Sequence, residues 1–99
     1  MAAAPAPTQA QAIWVEAGID CGQWVSAPAA ARDLYEAYLL GAVDAWAVAL
    51  DLDFWRVPTR TSRDAVYLWV DNWCRANPLS LLIDAASALF TFRTGMKPD

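Results

Sequence analysis

Between Asp33 and Leu52 the chain reads DLYEAYLLGAVDAWAVALDL, and from Leu34 to Leu50 it carries only two charges, Glu36 and Asp44. The run has no proline, and its one glycine, Gly41, is interior. A helix this apolar on nearly every side is either central to a core or half-covered by a partner. Two stripes run along it. Tyr35, Leu39, Val43, Trp46 and Leu50 recur at spacings of three and four and make a bulky face. Ala37, Gly41, Ala45 and Ala49 recur every four and make a shallow groove that a neighbouring helix backbone can approach. Two acids near the middle of so short a run argue against a membrane span.

A chain of 99 residues makes one domain with a single modest core, and 58% hydrophobic residues are enough to fold it. Six tryptophans are many for this length, so one or two are expected at the surface, as on a binding face. The net charge of −4 and the absence of a Lys/Arg cluster argue against nucleic acid as a partner; Lys97 is the only lysine. With no histidine and two cysteines, neither a His-based acid/base pair, a Cys–His nucleophile nor a three- or four-ligand zinc site can be assembled. Ser62 and Asp64 are helix-start chemistry with no base to activate a nucleophile. Asp51 and Asp53 lack further ligands for a metal. The expectation is a protein without catalytic activity, cofactor or metal. Two cysteines in a short chain suggest a structural disulfide in an oxidising compartment, the alternative being two buried free thiols.

Along the chain, residues 1–12 read as a disordered, Ala/Pro-rich tip without the pattern of an intact signal peptide, and residues 13–95 as one domain. Ile13–Val15 reads as a short extended piece or a helical turn ending near Gly18. Asp20 is placed to cap a short helix from Cys21 to Ala27, which Pro28 ends. The apolar run continues a second helix that begins around Ala30–Asp33 and reaches about Leu50. After an irregular stretch, Asp51–Arg60, Thr61 and Asp64 resemble a capping box for a third helix, Ser62 to Ala76. Asn77-Pro78 reads as N-cap and first residue of a fourth helix reaching about Arg93, which buries Leu79, Leu82, Ile83, Ala86, Leu89 and Phe90. Gly95 is placed as its C-terminal cap. No strand pattern or internal repeat is present, and the reading is all-α.

The Asp53-Phe54-Trp55-Arg56 stretch is the candidate partner-binding site. Its aromatic pair either plugs the end of the bundle or presents an exposed anchor, Trp and Arg being favoured hot-spot types. Asp44, set among apolar neighbours, is either buried with a partner such as an arginine or exposed at an interface. Asp71 and Asn72 read as a solvated side of the third helix. Trp24, Trp46 and Trp73 fall on core stripes, while Trp14, Trp55 and Trp69 are less constrained. Protonating all eleven carboxylates leaves seven basic side chains and takes the side-chain charge from −4 to +7. Like charge then drives a marginal domain apart while any disulfide keeps the chain tethered. That is the physical logic of an acid-activated chaperone, the alternative being an acidic protein that acid-denatures with no chaperone role.

The segments DCGQW at 20–24, YLLGAVDAWA at 38–47, DFW at 53–55, VYLWVDNWCRANPL at 66–79 and DAASAL at 84–89 together resemble the HdeA-like superfamily. These are small exported bacterial four-helix proteins with one disulfide joining an early helix to a later one. The superfamily includes the periplasmic acid-stress chaperones HdeA and HdeB and the Rap/Tai immunity proteins of type VI secretion, and the resemblance covers about residues 20–90. It implies a Cys21–Cys74 disulfide and hence an all-α, small four-helix bundle whose early short helix is tethered to the third. It also implies a periplasmic location, with residues 2–10 as the start left after signal-peptide cleavage. The expected function is binding other proteins, first as an HdeA-like acid-stress chaperone and alternatively as an immunity protein that neutralises a secreted toxin. This chain departs from the acid chaperones in having a single lysine and many tryptophans. The bulky face of the central helix is expected to pack on the two helices joined by the cysteines. Its small-residue groove is expected to take the last helix, a homodimer partner being the alternative.

Overall fold

The computed structural model describes residues 18–98; the tip, the Ile13–Val15 element and Trp14 lie outside the described residues. Four helices occur among them: α1 Cys21–Ser26, α2 Ala29–Leu50, α3 Arg63–Ala76 and α4 Leu82–Thr94. The Cys21–Cys74 disulfide joins α1 to α3. The architecture is the expected all-α bundle with its early short helix tethered to the third.

Local chemistry sets the boundaries. The Asp20 carboxylate accepts from the Gln23 N–H at 2.7 Å and the Gln23 side chain accepts from the Asp20 N–H at 2.8 Å, so both otherwise unpaired donors are used. α2 runs for 22 residues, about 33 Å at the α-helical rise. It ends at Asp51, a residue type that tolerates the left-handed conformation found there, φ 55°. Ser62, rather than Thr61, caps α3 by accepting from the Ala65 N–H at 3.2 Å. α4 ends at Gly95, φ 75°, whose N–H caps the Thr91 carbonyl at 2.8 Å.

The start of α4 corrects the reading from sequence. Asn77 to Ser80 forms a turn closed by Ser80 N–H on the Asn77 carbonyl, and the helix begins four residues after Pro78, at Leu82. The reason is a backbone bridge between Asp20 and Leu81. Cys21 donates to the Ser80 carbonyl at 2.8 Å and Leu82 donates to the Ile19 carbonyl at 2.7 Å, so Leu81 between them is held extended and the helix starts only at Leu82. Asp84 then reaches back to the Leu81 N–H at 3.1 Å. Leu79, expected in the core, sits on the turn and is 96% exposed.

α4 is the central element: α2 and α3 both pack on it, and α1 packs chiefly on α3. Its Leu82, Ala85, Ala86, Leu89 and Phe90 are all buried. The bulky face of α2 does turn inward, with Leu39 and Val43 buried and Trp46 edge-on to Phe90 at 5.8 Å. It meets α4, however, and not chiefly the disulfide-linked pair. The small-residue stripe is left outside, because one helix cannot bury both faces against a single neighbour. Ala37, Gly41, Ala45 and Ala49 are exposed, flanked by Leu34 (68% exposed), Tyr38 (42%) and Val48 (82%).

A Cβ at Gly41 would meet nothing within 4 Å. Gly41→Ala is therefore expected to stabilise the domain by about 1 kcal/mol, the helix-propensity difference alone. Chemical denaturation reads the change directly, and a destabilised variant would show that something covers this stripe.

Candidate functional site

The loop between α2 and α3 is built around Phe54. Its ring is 1% exposed, stacks on Phe90 at 5.9 Å with planes 12° apart, and meets the Trp55 ring edge-on at 5.0 Å. Phe54 plugs the bundle end, and as an exposed anchor it is corrected: a partner cannot reach its side chain. Trp55 is half-buried and donates its indole N–H to Asp44 Oδ1 at 2.8 Å. Asp44 is thus exposed, and its partner is an indole and not an arginine. Arg56 and Asp53 are exposed and pair with each other at 3.4 Å, a surface contact that contributes little to stability. Of the four candidate residues, Trp55, Arg56 and Asp53 remain accessible to a partner.

Arg93, in the last turn of α4, holds this loop from behind. Its Nε and Nη2 donate to the Phe54 carbonyl at 3.0 and 2.6 Å, and Nη2 also donates to the Thr59 carbonyl at 2.7 Å and the Val57 carbonyl at 3.3 Å. The guanidinium carbon lies 5.1 Å from the Phe54 ring centroid. A cleft of about 320 Å³ opens beside it, lined by Leu52, Asp53, Val57, Pro58, Arg93, Thr94 and Gly95. Sequence reasoning saw Arg93 only as a helix end. Its three carbonyl partners lie 34–39 residues away, and no local spacing signals them.

A second polar cluster joins α1, α2 and α3 at the opposite turn of α2. Asp71 accepts from the Trp24 indole N–H at 2.6 Å and from Arg32 Nη2 at 3.0 Å. Arg32 also pairs with Glu36 at 3.1 Å, donates to the Trp24 carbonyl at 3.3 Å and lies 3.8 Å over the Trp24 ring. Asp71 is therefore half-buried and interhelical, not on a solvated side. Trp24 is fully buried, so its indole N–H needs this acceptor. Burial first, and the Glu36 carboxylate second, push the nearby Tyr67 phenol above its ordinary pKa.

Asp71→Ala is expected to lower the unfolding free energy by about 2–3 kcal/mol, since it leaves a buried indole N–H and a half-buried guanidinium without their acceptor. Urea unfolding at neutral pH measures this. A change within experimental error would remove the cluster from any account of stability.

Each side chain-to-side chain hydrogen bond among the described residues ends on a carboxylate: Asp71 twice, and Glu36, Asp44 and Asp53 once each. Neutralising the acids would therefore weaken the contacts between α1, α2, α3 and the loop together. The disulfide and the Arg93 contacts to backbone carbonyls do not depend on acids.

Among the described residues no three His, Cys, Asp or Glu side chains gather as a metal site, and no helix is long and apolar enough to cross a membrane. Fold and site define, among the described residues, a disulfide-tethered four-helix domain with an aromatic loop at one end and an exposed apolar helix face. No family model matches the chain, and neither a curated protein nor a solved structure matches it.

Proposed function

We propose that the protein acts without catalysis by binding other proteins, as an exported acid-stress chaperone of the HdeA-like kind, in the periplasm. The observation that carries this reading is the carboxylate dependence of the side-chain contacts. Full protonation removes eleven acceptors' charge and takes the side-chain total from −4 to +7. The helices then separate under like charge, and apolar faces such as that of α2 join newly opened core as a surface for unfolding clients. Cys21–Cys74 keeps α1 on α3, so the loosened chain remains tethered for refolding. A disulfide also fits an oxidising compartment. The test is light scattering of an acid-labile enzyme, with and without the protein, in strong acid and at neutral pH. Suppression of aggregation in acid only is expected; no suppression in acid contradicts the reading.

The second reading is an immunity protein that neutralises a secreted toxin. It is favoured by the apolar side chains already exposed in the folded state, Leu34, Tyr38 and Val48 on α2. On this reading the protein forms a tight complex at neutral pH with the toxin encoded beside it. Co-expression of the two and failure to co-purify would dismiss it.

A further inference from the structure

The charges are unevenly placed. The stretch from Asp51 to Asp64 and the end of α4 from Arg93 onward hold five bases, Arg56, Arg60, Arg63, Arg93 and Lys97, against three acids, Asp51, Asp53 and Asp64, a net of +2 among the described residues. The other described residues hold Arg32 and Arg75 against six acids, a net of −4. Among the described residues, the cleft beside Arg93 therefore lies in the net-basic part of the chain.

Arg93 has a donor to spare there. Its Nε and Nη2 are engaged with loop carbonyls, while Nη1 has no hydrogen-bond partner among the described residues and is not sealed from solvent. No carboxylate of the described residues pairs with it. The one carboxylate lining the cleft, Asp53, faces Arg56, and the donors beside it are used internally, the Gly95 N–H on the Thr91 carbonyl and the Thr94 hydroxyl on the Phe90 carbonyl. The guanidinium cannot swing away, because its four contacts fix it against the loop. It is a positioned cation at the side of a cleft whose walls include Leu52, Val57 and Pro58.

We propose that this cleft binds an acidic segment of a partner protein. One carboxylate of the segment accepts from Arg93 Nη1, and an adjoining apolar side chain lies against Leu52, Val57 and Pro58. Charge-assisted hydrogen bonds to a fixed guanidinium are among the stronger polar contacts, and the apolar walls exclude water around this one. The proposal rests on the protein-binding reading but not on chaperoning, since the site works with the domain folded at neutral pH.

The probe is a short fluorescein-labelled peptide of alternating Asp and Leu, compared with its Asn–Leu counterpart by fluorescence anisotropy at neutral pH. The Asp peptide is expected to bind at least about tenfold more tightly, the equivalent of one charge-assisted contact. Val57→Asp tests the place: Val57 is 57% exposed, so the change spares the core and sets a negative charge on the cleft wall. It is expected to weaken the Asp peptide at least about tenfold while near-ultraviolet circular dichroism stays unchanged. Equal binding of the two peptides, no binding of either, or undiminished binding by Val57→Asp would overturn the proposal. If the peptide fails while acid suppression of aggregation persists, only the cleft assignment falls.

Discussion

Phe54→Ala is expected to lower the unfolding free energy by about 3–5 kcal/mol, the range for removing a fully buried aromatic ring. The ring sits at the junction of the loop with α4, stacked on Phe90 and under the Arg93 guanidinium, so its loss opens a cavity where three groups converge. A folded domain is stable by only about 5–15 kcal/mol, so the variant would be marginal. Trp55→Ala, by contrast, removes a half-buried ring and one exposed hydrogen bond and should cost clearly less. Guanidinium unfolding of the two variants side by side decides the matter. A Phe54→Ala domain as stable as the parent would mean that the ring is an anchor for a partner after all.

Removing the disulfide is expected to have a similar effect by a different route. Cys21 and Cys74 are 53 residues apart, and closing a loop of that size restricts the unfolded chain by about 4 kcal/mol on the chain-entropy account. The Cys21→Ala/Cys74→Ala double variant should therefore unfold at much lower denaturant than the oxidised parent, and the reduced parent should behave like the double variant. The two routes separate by where they act. Phe54→Ala weakens packing in the folded state, whereas the loss of the disulfide chiefly enlarges the unfolded ensemble. If reduction leaves the unfolding midpoint unchanged, the tether has no part in stability and the refolding role assigned to it fails with it.

Much of the fold was legible because it rests on local chemistry. Asp20 caps α1 as its spacing with Gln23 allows, Pro28 separates two helices, and Gly95 ends α4 in the conformation glycine adopts readily. The alternation of three and four in Tyr35, Leu39, Val43 and Trp46 identified the inward face of α2. Periodicity cannot name the neighbour, however, and that face met α4 instead of the disulfide-linked helices. The start of α4 was misplaced for a related reason. Asn77-Pro78 is a sound local start signal, but the bonds of Ile19 and Cys21 to Leu82 and Ser80 are non-local and hold Leu81 extended.

The site was legible only in part. An aromatic loop between charges was visible, but not which aromatic faced inward; only the contact of Phe54 with Phe90 decides that. Asp71 was read as part of a solvated side and Arg93 only as a helix end, because each reaches partners more than 30 residues away in sequence. Long side chains at helix surfaces have no fixed spacing to what they hold.

In the proposed function, carboxylates link α1, α2, α3 and the loop, apolar packing holds α4, and the disulfide tethers the chain. Near-ultraviolet circular dichroism of the tryptophans, followed from neutral pH into strong acid with the disulfide intact, tests it most directly. Trp24 and Trp55 both donate to carboxylates, so their fixed environments should be lost in acid. Helical far-ultraviolet signal should largely remain, and both signals should return on neutralisation. A near-ultraviolet spectrum in strong acid that superimposes on the neutral one would contradict the account.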